Sequence, residues 1–350
     1  MQSRIIEIHV LLMRIIIAPD SFKGTLTARE AAEAMAEGVK AAVPDADVVC
    51  MPVGDGGEGT ADALKASLSD VDTVCCPTVD ALGRPISATY LISGGNTAII
   101  ESAAASGLTL IKPVERDILK ADTRGTGKLI ADAHRRGIRN FIIGMGGTAT
   151  CDGGWGAYTV LEQLNLEDSR FTLLCDVDNP LCGESGAAPV FGPQKGASGE
   201  QINFLERRLS ERAEIYASKG GRDVRNLKYA GAAGGLAGML MACYSALPVP
   251  GIQKVLELLD FDSVLADADL VITGEGKADR TSLHGKAPVG ILRAASERAV
   301  PVALIGGKIE DEALLKRAGF KKIVRATPDT PDPALSAAAY VSEAAKSLFR

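Results

Sequence analysis

An α/β fold of two domains follows from three features of this 350-residue sequence. Short apolar runs alternate with helical segments toward both ends of the chain. The middle instead carries apolar runs divided by turn signals, which is an antiparallel pattern. Glycine-rich polar stretches recur where the strands end. Both ends are therefore expected to build one parallel-sheet domain, 13–70 with 265–350. The middle, 71–264, is expected to form a second, mixed α/β domain, with the site in the cleft between the two.

The elements follow in order. Arg14 to Ala18 reads as a buried strand. Thr27-Ala28-Arg29-Glu30 matches a capping box, in which Thr27 accepts a helix-end N–H and Glu30 reaches back. That helix is expected to run to about Val43 and to stop before Pro44, which cannot continue it. Val48 to Val53 is the second strand, with a helix starting at about Thr60. Runs at 73–76, 86–92 and 97–100 are divided by Leu82-Gly83-Arg84-Pro85 and Gly94-Gly95-Asn96, so antiparallel strands are expected there. A helix over 125–136 leads into the strand Phe141-Ile142-Ile143, and Phe171 to Cys175 is another short strand. The end of the chain returns to βαβ: strand 270–273, helix 289–298, strand 302–305.

Composition narrows the class. Apolar residues make up 46% and charged residues 23%, ordinary for a globular protein with a sizeable core. Aromatics are only 4% against 38 glycines, which favours close helix packing and tight loops over an aromatic recognition surface. A net charge of −6 argues against nucleic acid as a partner, because phosphate-backbone binding needs a basic face. Seven cysteines without a C-x-x-C pair read as reduced structural thiols, and three histidines without paired spacing make a histidine metal site improbable. Met1 to Leu12 is apolar but broken by Glu7 and His9, a poor signal peptide, and Met13 opens a cleaner strand as an alternative start. No uncharged apolar stretch reaches ~18 residues, so no membrane span and a cytoplasmic location are expected. Homo-oligomer formation is left open.

Chemistry concentrates at the strand ends. Gly144-Met145-Gly146-Gly147-Thr148-Ala149-Thr150-Cys151-Asp152-Gly153-Gly154 puts backbone donors, two hydroxyls and a carboxylate in one turn, a set suited to a phosphate and Mg²⁺. Asp20-Ser21-Phe22-Lys23-Gly24 offers a base and a cation to a small anion. Asp55-Gly56-Gly57-Glu58 is a second glycine-dense loop with two carboxylates. Asp176 and Asp178 in Cys175-Asp176-Val177-Asp178-Asn179-Pro180 can ligate Mg²⁺ or accept a hydroxyl proton, or simply form an Asx-turn. Lys195 can neutralise transferred charge, and Gly234-Gly235 suits a helix entry close to a ligand. Glu275, Asp279, Ser282 and Lys286 follow the 270–273 strand. Each loop alone is also what an ordinary tight turn looks like; their repetition at strand ends, where open α/β sheets bind ligands, favours a site. Neither G-x-x-x-x-G-K-[ST] nor G-x-G-x-x-G after the first strand is present, so the pattern fits phosphoryl transfer without a P-loop.

Taken in order, APDSFKG (18–24), GDGGEGT (54–60), GMGGTATCDGG (144–154), CDVDNP (175–180), FGPQKGA (191–197), GAAGGL (231–236) and TGEGKAD…SLHGKAPVG (273–290) resemble the bacterial glycerate kinases of glyoxylate and sugar-acid breakdown, from about Met13 to Leu348. The resemblance implies a parallel-sheet, Rossmann-like three-layer domain with a mixed-sheet domain inserted in it. It implies ATP- and Mg²⁺-dependent phosphorylation of D-glycerate, more usually to 2-phosphoglycerate. On that reading Asp176 or Asp20 is the base, and Lys23 and Lys195 meet the glycerate carboxylate and the transferred phosphoryl group. Asp152, Asp178, Glu275 and Asp279 hold the metal or its waters. Ser21, Gly24, Asp55, Gly56, Gly57, Glu58, Gly146, Gly147, Thr148, Gly234, Gly235, Ser282 and Lys286 line substrate and phosphates. Another small hydroxy acid as acceptor, or a non-catalytic regulator on the same scaffold, are the alternatives. Three departures stand out: Thr148 and Cys151 replace Ser and Asn, Trp155 is unusually bulky, and the stretch Tyr158 to Arg170 is shorter than its counterpart by on the order of 30 residues.

Overall fold

The computed structural model describes residues 12–219, 221–283, 285–332 and 335–350. The reading of Met1 to Leu12 falls, up to residue 11, outside the described residues. The strands are β1 Arg14–Ile17, β2 Asp47–Cys50, β3 Val71–Val79, β4 Pro85–Ser93, β5 Thr97–Glu101, β6 Asn140–Gly144, β7 Arg170–Cys175, β8 Leu247–Pro250, β9 Leu270–Ala278, β10 Val302–Ile309 and β11 Lys322–Arg325. They form a five-stranded sheet of order β11-β10-β9-β1-β2 and a six-stranded sheet of order β3-β4-β5-β6-β7-β8. The fold is thus α/β, with a parallel sheet and a mixed one.

The chain divides into two compact units. One comprises the residues up to Pro52, Asp260–His284 and Pro288–Arg350; the other comprises Val53–Leu259 and Gly285–Ala287. In the first, every neighbouring pair of strands is parallel. Ile15, Ile16 and Ile17 are all fully buried, as an inner parallel strand covered on both faces requires. The Thr27 capping box forms as expected, and the helix Ala28–Ala42 ends at Val43. Its buried residues Ala31, Met35 and Val39 share a core with Val341, Ala344 and Ala345 of the helix Ala337–Ser347. A Cβ at Gly38 would meet the Ser342 carbonyl at 2.0 Å, so the two helices approach at a residue without a side chain.

In the second unit β3, β4 and β5 are antiparallel, as the turn signals imply, while β5 through β8 run parallel. The parallel strands end level: Glu101 pairs with Gly144, and Gly144 with Leu174. Their core includes a stacked Phe141–Phe171 pair with ring centroids 4.8 Å apart. The helix Thr60–Ser67 packs against β4 and β5.

Of the elements the sequence reading does not name, two carry a lesson. The helix Gly199–Ser218 is announced by a second capping box, Ser198 with Gln201. β8 contains Pro248 and Pro250, which argue against a strand; it survives because it is the edge of its sheet. Among the described residues no helix is long and apolar enough to cross a membrane.

Candidate active site

In the mixed unit three glycine-rich segments interlock at the carboxyl ends of the strands. Gly146 donates to the Gly56 carbonyl at 3.4 Å, and a Cβ at Gly146 would stand 2.6 Å from the Cα of Gly57. Gly153 donates to Gly234 at 3.0 Å; a Cβ at Gly234, whose φ is 64°, would stand 1.9 Å from the Thr150 carbonyl. No other residue type fits such approaches. A fourth segment braces them. Ser102 Oγ donates to the Gly144 carbonyl at 2.7 Å, Leu108 N–H to Gly147 and Ala149 N–H to Ser106, each at 2.8 Å. Among the described residues, no acceptor is found for the N–H groups of Gly147 and Thr148, and Gly147 is exposed. That is where the loop can offer donors to an anion.

Lys195 sits in the short turn Pro193–Lys195, closed by the left-handed Gly196. Although only 6% exposed, it has no carboxylate among its hydrogen-bond partners. Its Nζ donates to Thr148 Oγ1 at 3.2 Å and to the Thr150 carbonyl at 2.7 Å. Burial lowers its pKa to about 8, against the weaker raising influence of Cys151 and Asp152. An ammonium has three donors, so one remains to meet an anion beside the loop.

The carboxylates of this unit differ in what the fold already asks of them. Asp152 is spent: Oδ2 accepts from Thr123 N–H at 3.0 Å, Thr123 Oγ1 at 2.9 Å and Gly156 N–H at 2.9 Å, while Oδ1 accepts from Gly154 N–H at 3.1 Å. It organises the start of the helix Trp155–Leu161, and this geometry favours a structural role over metal ligation. The 54–60 loop is likewise turned inward. Gly57 N–H binds Asp55 Oδ1 at 3.1 Å, Gly56 N–H binds Thr60 Oγ1 at 3.0 Å, and Thr60 N–H binds the Gly57 carbonyl at 3.3 Å. What it presents is side chains: Asp55 is buried, and Glu58 accepts from Thr109 Oγ1 at 3.1 Å. Asp176 follows β7 half-buried, whereas Asp178 is exposed and lies 3.4 Å from Lys228 Nζ.

The parallel unit gathers its own set at the ends of β1 and β9, which are neighbours. Asp20 is buried, donates its N–H to the Gly274 carbonyl at 2.9 Å, and accepts from Ser21 N–H at 2.6 Å. Lys23 is exposed, beside Gly24 at φ 81°. A Cβ at Gly276 would lie 3.2 Å from Lys23 N, so the β9 backbone runs close beneath this loop. Glu275 is buried in β9. Asp279 turns the chain after β9: Oδ1 accepts from Thr281 N–H at 2.7 Å and Oγ1 at 2.6 Å, and Oδ2 pairs with Lys277 at 3.1 Å. Those partners, the Thr281 hydroxyl foremost, hold its carboxyl down at about 2. Ser282 is buried and accepts from Asp279 N–H at 3.1 Å; Lys286, which belongs to the mixed unit, is half-buried. Among the described residues, no three His, Cys, Asp or Glu side chains converge as a metal site.

Two of the departures, Cys151 and Trp155, find physical explanations. Cys151 is buried and its thiol is pushed up to about 11 by burial, so it is an inert apolar filler. Trp155 stacks on Tyr216 and packs on Tyr158, with the Arg212 guanidinium 3.7 Å over its ring. Tyr216 in turn donates its hydroxyl to the Gly153 carbonyl at 2.8 Å, tying this aromatic cluster to the loop. Residues missing from the sequence candidates are the braces: Glu101, Ser102, Ser106, Thr123 and Arg208, whose guanidinium donates to the Leu119 and Cys151 carbonyls, both at 2.9 Å. Their only local signal is a polar side chain at a strand end or within an apolar helix face.

Comparison with known proteins agrees with this geometry. The model of the glycerate kinase family matches residues 15–163 and 159–350, two segments that overlap within the Tyr158 to Arg170 stretch. Glycerate kinase of Bacillus subtilis (strain 168) is 40% identical over 331 residues, covering 86% of each chain. Glycerate 2-kinase of Escherichia coli (strain K12) is 41% identical over 330 residues, again covering 86% of each. The crystal structure of a candidate glycerate kinase 2 from Salmonella typhimurium LT2 superposes with a TM-score of 0.82 at 38% identity, covering 97% of both chains. With the ordered loops, both sheets and matches of this extent in agreement, the chain belongs to the glycerate kinase family.

Proposed function

We propose that this chain transfers the γ-phosphoryl group of ATP to a hydroxyl of D-glycerate, with Mg²⁺, giving 2-phosphoglycerate. The observation that carries the reading is the buried Lys195 beside Thr148 and the N–H groups of Gly147 and Thr148. Phosphoryl transfer asks mainly for positioning and for positive charge where the transferred group gains negative charge. A desolvated ammonium and two backbone donors, held by glycine-to-glycine contacts, supply both.

The other roles follow from the chemistry of the side chains. Asp20 or Asp176, each at a strand end, accepts the glycerate hydroxyl proton. Lys23, an exposed cation next to Asp20, pairs with the glycerate carboxylate. Mg²⁺, when bound, neutralises charge shared between the phosphates. It commonly takes only one or two protein carboxylates and completes its shell with phosphate and water, so a scattered acidic set is compatible with it. Glu275 is the carboxylate we assign to it, a buried side chain next to Gly274, whose carbonyl accepts the Asp20 N–H, whereas Asp152 is saturated by the fold.

³¹P NMR of the purified protein with MgATP and D-glycerate, beside a control without acceptor, tests the reaction. A phosphomonoester signal matching 2-phosphoglycerate is expected. A 3-phosphoglycerate signal would correct the regiochemistry, and ADP without any new ester would overturn glycerate as acceptor.

A further inference from the structure

Glu101 stands at the end of β5, in register with Gly144, where the Gly144–Gly154 loop leaves β6. Its Oε1 accepts the Ala61 N–H at 2.7 Å, from 40 residues away in sequence. Ala61 lies in the first turn of the helix Thr60–Ser67, whose preceding residue, Gly59, is left-handed at φ 92° and caps nothing. Glu101 supplies the acceptor that a helix start needs. The next residue, Ser102, binds the Gly144 carbonyl through both its N–H, at 3.0 Å, and its Oγ, at 2.7 Å. Two consecutive residues therefore grip the end of one glycine loop and the start of another.

The residue type is informative. Glutamine would accept the same N–H without a charge to bury. Burial pushes the Glu101 carboxyl up to about 7, the Ala61 and Gly59 backbone pulls it back, and Asp62 and Glu58 push it up further. A purely stabilising cap would be better served by the amide, since an ionised carboxyl is costly out of water.

We propose that Glu101 is a positioning residue for phosphoryl transfer, holding as an ionised carboxylate the loop of Asp55 and Glu58 against the loop of Gly147 and Thr148. The inference rests on the reaction proposed above. An ionised carboxylate offers only acceptors to the start of the helix; protonation turns one oxygen into a donor that faces other donors, and the grip slackens. Below the Glu101 pKa the loops lose their fixed spacing, and the backbone donors no longer meet the phosphates together.

The test is Glu101→Gln in the full chain, followed as a pH profile of kcat and KM beside thermal unfolding. Wild-type kcat/KM is expected to fall as pH drops through about 7. The variant should be slower by on the order of tenfold or more at ~pH 8, with no such acid limb. It should also melt above the wild type at ~pH 8, the gap closing toward ~pH 5, because a carboxyl whose pKa is raised on folding favours the folded state only when protonated. A stabilised but slowed enzyme supports the proposal. Unchanged kcat/KM with the acid limb retained overturns it. If Glu101→Gln does not fold, Ala61→Pro removes the same donor at a position where a helix tolerates proline, and wild-type turnover there overturns the proposal equally. If the wild type transfers no phosphate to D-glycerate, the reaction has failed rather than the residue. Amide exchange of 54–61 then decides. Corrected for intrinsic rates, it should be slower at ~pH 8 than at ~pH 6 in the wild type alone; the absence of that difference overturns the role of Glu101.

Discussion

The loops at 144–154 and 273–282 are written in the same vocabulary, and the fold uses them differently. Each begins in a parallel strand, the second running on within β9 to Ala278 rather than leaving it at Thr273, and each contains glycines, two threonines and an aspartate. In the first, Asp152 is buried and takes four protein donors, so its charge is consumed in building the turn. In the second, Asp279 shapes an outer turn and pairs with Lys277, itself half-exposed and also bound to Glu310. A strand end with an acid thus marks a place for chemistry without deciding whether the acid is free to perform it. What decides is how many N–H groups the neighbouring chain aims at that carboxylate.

The sharpest way to break this comparison is to remove the cation that rests on the first loop. Lys195→Ala should lower kcat by on the order of 10²–10³-fold while the protein still folds, since its Nζ acts on charge that develops in the reaction. The same ammonium sets an alkaline limb. Burial lowers its pKa to about 8, so the free enzyme should lose activity as pH rises through that value. Lys195→Arg, which cannot deprotonate in this range, should lack the limb even if slower. Stability moves the other way. The unfolded lysine keeps its proton up to about 10.5, so the folded state gains relative stability between about 8 and 10.5. A Lys195→Ala enzyme with normal turnover would remove Lys195 from the mechanism.

Asp152→Ala should come next, and its effect should appear in stability. Several buried N–H groups lose their acceptor, at a cost of about 2–4 kcal/mol in urea unfolding. The Mg²⁺ dependence of whatever folded enzyme remains should be unchanged. Normal stability with weakened Mg²⁺ activation would return Asp152 to the metal.

How much of this was legible follows from sequence distance. The Thr27–Glu30 capping box and the stop before Pro44 lie within one or two turns of helix, where residue type and spacing fix the outcome, and both formed. Loops at strand ends were legible because hydrophobic period and glycine give them away. The bonds that define the site are long-range: Asp152 to Thr123 across 29 residues, Lys195 to Thr148 across 47, Ala61 to Glu101 across 40. No local pattern encodes those partners, so Asp152 reads as a metal ligand and Glu101, just past the 97–100 run, draws no reading at all. The helix Gly199–Ser218 was within reach, since Ser198 and Gln201 repeat the capping grammar of Thr27 and Glu30. Its charged faces mask the few positions, Leu205, Leu209, Ala213 and Tyr216, that enter the core.

Asp279→Asn sharpens the other half of the comparison and should have the smallest effect. An asparagine oxygen can still accept from Thr281, so the turn survives; what is lost is the pairing with Lys277, which is half-exposed. Pairs of this kind contribute about 0–1 kcal/mol. The sign with pH is fixed by a carboxyl held at about 2 against an ordinary 3.8. Its contribution is complete above about 4, is lost as pH falls toward about 2, and the wild type and variant should then converge. Chemical denaturation across that range reads the difference directly. Mg²⁺ activation measured on the same samples separates the two uses of an acid. An unchanged Mg²⁺ requirement leaves Asp279 as the maker of a charged turn. A requirement raised on the order of tenfold, in the range that loss of a metal-site partner typically costs, would make the second loop the metal-facing one.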